Sequence, residues 1–125
     1  MALVQRMFAV GIVLWWGYFF ALARHAPPPT PSYFDFEGAF PWPDLVWLVP
    51  LLVTAARHNQ RGTPQGPIWT AASGGALVFL GLLDLAYNLQ HGLYTHNLLA
   101  GGLNAVVNLA CLGFGLYSVR WALHR

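Results

Sequence analysis

Residues 67–91, PIWTAASGGALVFLGLLDLAYNLQH, contain a single formal charge, that of Asp84. A helix that crosses the hydrocarbon core of a bilayer needs roughly 20 largely apolar residues, and this stretch is long enough. Pro67 suits the first turn of such a helix, because its missing N–H has no partner to lose there. The stretch therefore predicts a membrane-spanning helix.

Three more apolar segments lie before and after this one in the sequence. Together they predict spans at residues 3–24, 42–57, 67–91 and 97–120. The first span ends in a sequence similar to a signal-peptide cleavage site, but its apolar stretch exceeds the usual ~7–15 residues, so we expect it to be retained. The four spans predict an all-α fold: a single transmembrane domain over residues 1–125, built as an integral membrane four-helix bundle with antiparallel up-and-down topology.

The composition supports this class of protein. Hydrophobic residues make up 57% of the chain and charged residues 8%, whereas a soluble domain carries about 25% charged residues. These values exclude an ordinary soluble domain and a disordered chain. The net charge of +2 gives no indication of nucleic-acid binding. With Cys111 as its one cysteine, the chain can form neither an internal disulfide nor a CxxC redox pair.

The arginines predict the orientation in the membrane. Four spans place both termini and the loop at residues 58–66 on one side. That side holds five of the six basic residues, namely Arg6, Arg57, Arg61, Arg120 and Arg125. The positive-inside rule makes this side cytoplasmic. We therefore expect cytoplasmic termini in a multi-pass protein of the cell membrane. An all-arginine basic set favours a bacterial inner membrane.

Two connections then face outward. The loop at residues 25–41 is rich in proline and aromatic residues, which predicts an extended segment on the membrane surface with its rings among the headgroups. The connection at residues 92–96 is short and predicts a tight turn. Such a turn makes the last two helices antiparallel neighbours.

Small and polar side chains form one stripe on each of these two helices, at alternating steps of four and three residues. The stripes comprise Thr70, Gly74, Leu77, Gly81, Asp84, Asn88 and His91 on one helix, and Asn97, Gly101, Asn104, Asn108, Cys111, Gly115 and Ser118 on the other. Pairing about the turn predicts contacts of Asp84 with Asn104, Gly81 with Asn108, and Gly74 with Gly115. Small residues at these contacts let two backbones approach closely.

Asp84 is the candidate functional residue, since it is the one acidic residue inside a predicted span. A charge at that depth costs a few kcal/mol at least, so the side chain is expected to face the bundle and find a partner. The hypothesis is a polar pocket, open to the outer face, that binds or transports a small molecule or protons. Its predicted lining is Asp84, Tyr87, Asn88, His91, Asn104 and Asn108.

Other functions remain open at this point. The asparagines are also typical of simple packing between membrane helices, and the chain can equally be a non-catalytic accessory subunit of a larger membrane complex. An intramembrane enzyme with Asp84 and His91 as acid and base is a third possibility. We assign no catalytic residue. The partners expected are the lipid bilayer, an unidentified small molecule, and further copies of the chain or a larger complex.

No cofactor is predicted. The outer histidines His25, His91 and His96 are weak candidates for a zinc or copper site, because their spacing matches no strong metal motif. His25 and His91 could together ligate haem. Histidine at a helix end is also a common residue of the headgroup region, and we take that as the simpler interpretation.

Overall fold

The computed structural model describes all 125 residues. It is 82% helical and has no strand, which confirms the all-α class. The α-helices are α1 (Ala2–Ala21), α2 (Tyr33–Glu37), α3 (Val49–Gln60), α4 (Gly66–Gln90), α5 (Leu93–His96) and α6 (Leu98–Leu123). A 3₁₀ turn at Ala23–His25 extends α1, and a π-helical turn at Pro43–Leu48 leads into α3.

Three helical stretches are long and apolar enough to cross a membrane, namely Ala2–His25, Gly66–Gln90 and Leu98–Leu123. They coincide with the first, third and last predicted spans, so the chain has the character of a multi-pass membrane protein. The predicted span at residues 42–57 forms the π-helical turn and α3 instead of one regular helix. Pro50 directly follows the π-helical turn, so its missing N–H falls inside a continuous helical stretch and interrupts the regular hydrogen bonding there.

The chain divides into two compact units, residues Met1–Thr70 and Ala71–Arg125, and the division falls inside α4. In the first unit α1 packs against α3. The buried side chains of α3 are Leu51, Leu52, Ala55 and Ala56, and those of α1 include Ala9, Trp16 and Phe19. Alanines on both helices bring the backbones close together, as in many membrane helix pairs.

A network of buried polar side chains joins three helices of the first unit. Gln5, which is fully buried, donates from Nε2 to Thr70 Oγ1 at 2.9 Å. Asn59 Nδ2 donates to Gln5 Oε1 at 3.0 Å and to Thr70 Oγ1 at 2.8 Å. Thr70 in turn donates to the carbonyl oxygen of Gly66 at 2.8 Å. We call Gln5, Asn59 and Thr70 the amide–hydroxyl lock. Because its members satisfy one another, the lock fixes how these helix ends meet.

The proline-rich loop is less extended than predicted. Residues Tyr33–Glu37 form α2, and Glu37 and Phe40 are buried. The ring of Phe34 lies 6.2 Å from that of Phe19 on α1, in a T-shaped pair. Packing of the Phe34 ring against α1 explains the difference, since an extended segment would leave the two rings apart. Nearby, Trp16 donates from Nε1 to Asp44 Oδ2 at 2.8 Å.

The second unit is a hairpin of α4 and α6 with very close backbones. A Cβ atom added to Gly74 would lie 2.7 Å from the carbonyl oxygen of Gly115 and 2.9 Å from Ser118 Cβ. A Cβ on Gly115 would lie 2.9 Å from the carbonyl oxygen of Gly74. Real Cβ atoms do not approach so closely, so both positions require glycine. The predicted contact of Gly74 with Gly115 is confirmed.

The rest of the predicted register is wrong by about one turn of α6. Gly81 faces Leu112 and Cys111 instead of Asn108. The reason lies in the connection, which is not the tight turn predicted. Gly92, at a φ of +65°, precedes the single helical turn of α5. The extra turn moves α6 along α4.

Candidate functional site

Asp84 lies on α4 within the hairpin, and its carboxylate is half-buried. The structure brings two of its predicted partners to it. Asn88, one turn further along α4, donates from Nδ2 to Asp84 Oδ2 over a long 3.5 Å. Asn108 of α6 also lies within hydrogen-bonding reach of this carboxylate. The shifted register places Asn108 opposite Asp84, in the position predicted for Asn104.

Tyr94 completes the site, although it is not among the residues of the predicted lining. The hydroxyl group of Tyr94 accepts a hydrogen bond from Asn88 Nδ2 at 3.3 Å and another from Asn108 Nδ2. Tyr94 belongs to α5, so a side chain of the connection links α4 to α6. We call Asp84, Asn88, Tyr94 and Asn108 the carboxylate site.

Close packing holds Tyr94 in place. A Cβ on Gly101 would collide with the backbone of Tyr94, so α5 lies directly on the first turn of α6. Asn97 caps α6 with its side-chain oxygen, which accepts from the N–H groups of Leu99 and Ala100 at 3.0 and 3.2 Å. Such a cap is a strong start signal for a helix. The cap defines the start of α6, and the contact at Gly101 fixes α5 against it.

One acceptor of the carboxylate site has no donor within the protein. Asp84 supplies two carboxylate oxygens, and Asn88 Oδ1 is buried without a hydrogen-bond partner. Asn88 as a whole is 1% exposed. The hydroxyl of Tyr94 already accepts two hydrogen bonds and keeps its own proton to donate. A buried acceptor without a partner costs free energy, about 1–3 kcal/mol, so the site favours a guest that donates hydrogen bonds.

The remaining predicted residues lie differently. His91 is exposed and pairs with Tyr87. Their rings stack with centroids 4.0 Å apart, and His91 Nδ1 lies 3.0 Å from the Tyr87 carbonyl oxygen. Two helical turns, about 10 Å of rise, separate His91 from Asp84. Asn104 is half-buried one turn before Asn108 on α6.

The charges around the site come from Asp84 alone. Neither residues 71–91 nor residues 92–119 contain an arginine or a lysine. The structure gathers no group of three or more histidine, cysteine, aspartate or glutamate side chains. The arrangement can therefore hold a proton or a hydrogen-bond donor at Asp84 without a competing protein cation.

Comparison of the chain with models of protein families, with curated proteins and with solved structures finds no match.

The role of Tyr94 can be tested by removing its hydroxyl group. We expect Tyr94→Phe to lower the free energy of unfolding by about 1–2 kcal/mol, because the amides of Asn88 and Asn108 lose a shared acceptor. The measurement is denaturant unfolding in detergent micelles, followed by circular dichroism. Tyr117→Phe, at an exposed tyrosine of α6, is the matched control. Equal stabilities of the two variants would show that Tyr94 does not link the helices.

Proposed function

We propose that this chain is a membrane protein of four spans that binds a small molecule or protons at the carboxylate site. The single observation that carries the proposal is Asp84 in an apolar helix beside the unpartnered, buried oxygen of Asn88. A lone carboxylate in a membrane span is expensive unless it is used or neutralised. A guest with N–H or O–H donors, or a proton, would satisfy both groups.

The proposed topology is the antiparallel up-and-down bundle with both termini in the cytoplasm. It needs residues 43–60 to cross the membrane as well, as the second of four spans along the chain. A helix of that length rises about 27 Å, close to the thickness of a hydrocarbon core. The arginine distribution supports the orientation. In this topology the carboxylate site lies nearer the outer face, two helical turns from the end of α4.

The experiment compares two aspartates that carry the same charge in different places. Asp84→Asn removes the carboxylate of the site, and Asp35→Asn removes that of an exposed residue of α2. Native mass spectrometry of the gently extracted protein detects any molecule that remains bound. In parallel, vesicles that contain the protein and a trapped pH-sensitive dye report proton movement.

We expect the intact protein and Asp35→Asn to carry the same bound mass or the same proton flux, and Asp84→Asn to lose it. An asparagine keeps the shape of the side chain but cannot take up a proton or pair with a cation. Equal behaviour of all three proteins in both assays would overturn the proposal. A complex with unrelated chains that Asp84→Asn leaves unchanged would instead favour the accessory subunit.

A further inference from the structure

A second feature of the hairpin lies away from the carboxylate site. A surface groove of about 410 Å³ runs between α4 and α6. Its walls include Gly75, Val78 and Phe79 of α4, and Leu116, Val119 and Arg120 of α6. All of these except Arg120 are apolar. The groove thus combines a hydrocarbon lining with one cationic group.

The groove runs along the two helices, so it can take an elongated hydrocarbon. Its lining on α4 extends from Gly75 to Leu82, which is about 10 Å by helical rise. Gly75 keeps this space open, because a Cβ built there would have no heavy atom within 4 Å. Phe79 is 68% exposed and forms a wall of the groove. Part of one acyl chain fits such a cleft.

Arg120 stands in the last turn of α6, where a membrane helix meets the headgroups. Its side chain is exposed. Asp84 is the one acidic side chain of residues 71–125, and nine residues, about 13 Å of rise, separate it from Gly75 on α4. Arg125 is already held over the Trp121 ring, 4.7 Å from its centroid. A guanidinium group without a nearby carboxylate favours a phosphate, which it can bind through two parallel hydrogen bonds.

We propose that this groove binds an anionic phospholipid, with one acyl chain between α4 and α6 and the phosphate on Arg120. The apolar lining binds the acyl chain, and Arg120 favours a negatively charged headgroup. The inference is independent of the function proposed for Asp84. It requires only that the start of α4 and the end of α6 reach a lipid headgroup layer.

The test uses the full chain, purified in detergent and titrated with phosphatidylglycerol or phosphatidylcholine that carry the same acyl chains. Native mass spectrometry counts the lipids retained. We expect one phosphatidylglycerol to bind about tenfold more tightly than phosphatidylcholine, as suits one charge-assisted contact. Arg120→Gln should abolish this preference, whereas Arg125→Gln should keep it.

A second pair of variants tests the groove itself. Gly75→Leu fills the cleft and should weaken both lipids about tenfold or more, since the acyl chain loses its apolar contacts. Gly113→Leu, at an exposed glycine of α6 outside the groove, should bind as the natural chain does. An unchanged preference in Arg120→Gln would overturn the proposal. So would a dimer that Gly75→Leu dissociates without any effect on lipid binding, because the groove would then hold a second copy of the chain.

Discussion

Gly115→Leu is expected to separate α4 from α6 and to lower the free energy of unfolding by about 3 kcal/mol or more, above the usual cost of overpacking. A Cβ at this position already lies 2.8 Å from Val78 Cγ2 and 2.9 Å from the carbonyl oxygen of Gly74. The second of these atoms is backbone, so a rotamer change cannot relieve the contact. The whole helix must move, and hydrogen bonds at the carboxylate site are lost with it.

The control for this prediction lies two residues away. Gly113 is exposed, and a Cβ there meets no heavy atom within 4 Å. Gly113→Leu therefore adds the same side chain to the same helix without a clash, and it gains up to about 1 kcal/mol of helix propensity. Unfolding of both variants in mixed micelles, followed by circular dichroism, compares them directly. If Gly115→Leu is as stable as Gly113→Leu, the close approach of α4 and α6 is wrong.

Thr70→Val is expected to lower the free energy of unfolding by about 2–4 kcal/mol, because it removes the shared acceptor of the amide–hydroxyl lock. Valine has the shape of threonine, so packing is preserved and only the hydroxyl group is lost. The side-chain amides of Gln5 and Asn59 then both lack the oxygen to which they donate. Gln5 is fully buried, so water cannot readily replace it.

Thr54→Val is the matched control, since Thr54 is a half-buried threonine of α3 outside the lock. We expect this variant to stay within about 0.5 kcal/mol of the natural chain, as substitutions outside such networks usually do. Trp69 is adjacent to Thr70 in α4, so tryptophan fluorescence can follow the unfolding. A loss in Thr70→Val no larger than that in Thr54→Val would show that the lock contributes little to stability.

The long helices could be predicted because apolar length is a strong signal in a chain with so few charges. The close contact of Gly74 with Gly115 could be predicted for a related reason, since small residues recur at helical spacing on both partners. The register of the other contacts between α4 and α6 could not be predicted, because it depends on the connection between the two helices. Residues 92–96 have no periodicity from which the turn of α5 could be deduced.

The candidate site was predicted in part. Asp84, Asn88 and Asn108 were expected together, and the structure places them together. Tyr94 was missed because a tyrosine in a connection is typical of a headgroup anchor, and only the fold of α5 turns it inward. Asn108 takes the position opposite Asp84 that was predicted for Asn104, because the turn of α5 moves α6 along α4.

The amide–hydroxyl lock was missed for a different reason. Polar residues at His58, Asn59 and Gln60 indicated a loop, whereas α3 continues to Gln60. Their side chains find partners within the first unit, for example Gln60 with Arg6 and Asn59 with Gln5. Gln5 did carry a signal, because it lies at helical spacing from the buried Ala9 and Trp16 of α1.

The position of Tyr94 between the helices has a consequence for how the protein is made. A ribosome releases α4 before α5 and α6, so Asp84 and Asn88 leave the exit tunnel while Tyr94 and Asn108 are still inside it. The translocation machinery thus meets a span whose polar groups have incomplete partners. Insertion of α4 and α6 as a pair avoids exposing that carboxylate to lipid, and α5 is the segment that brings the pair together. We therefore expect α5, the short helix that completes the site, to govern when the span can leave the translocon.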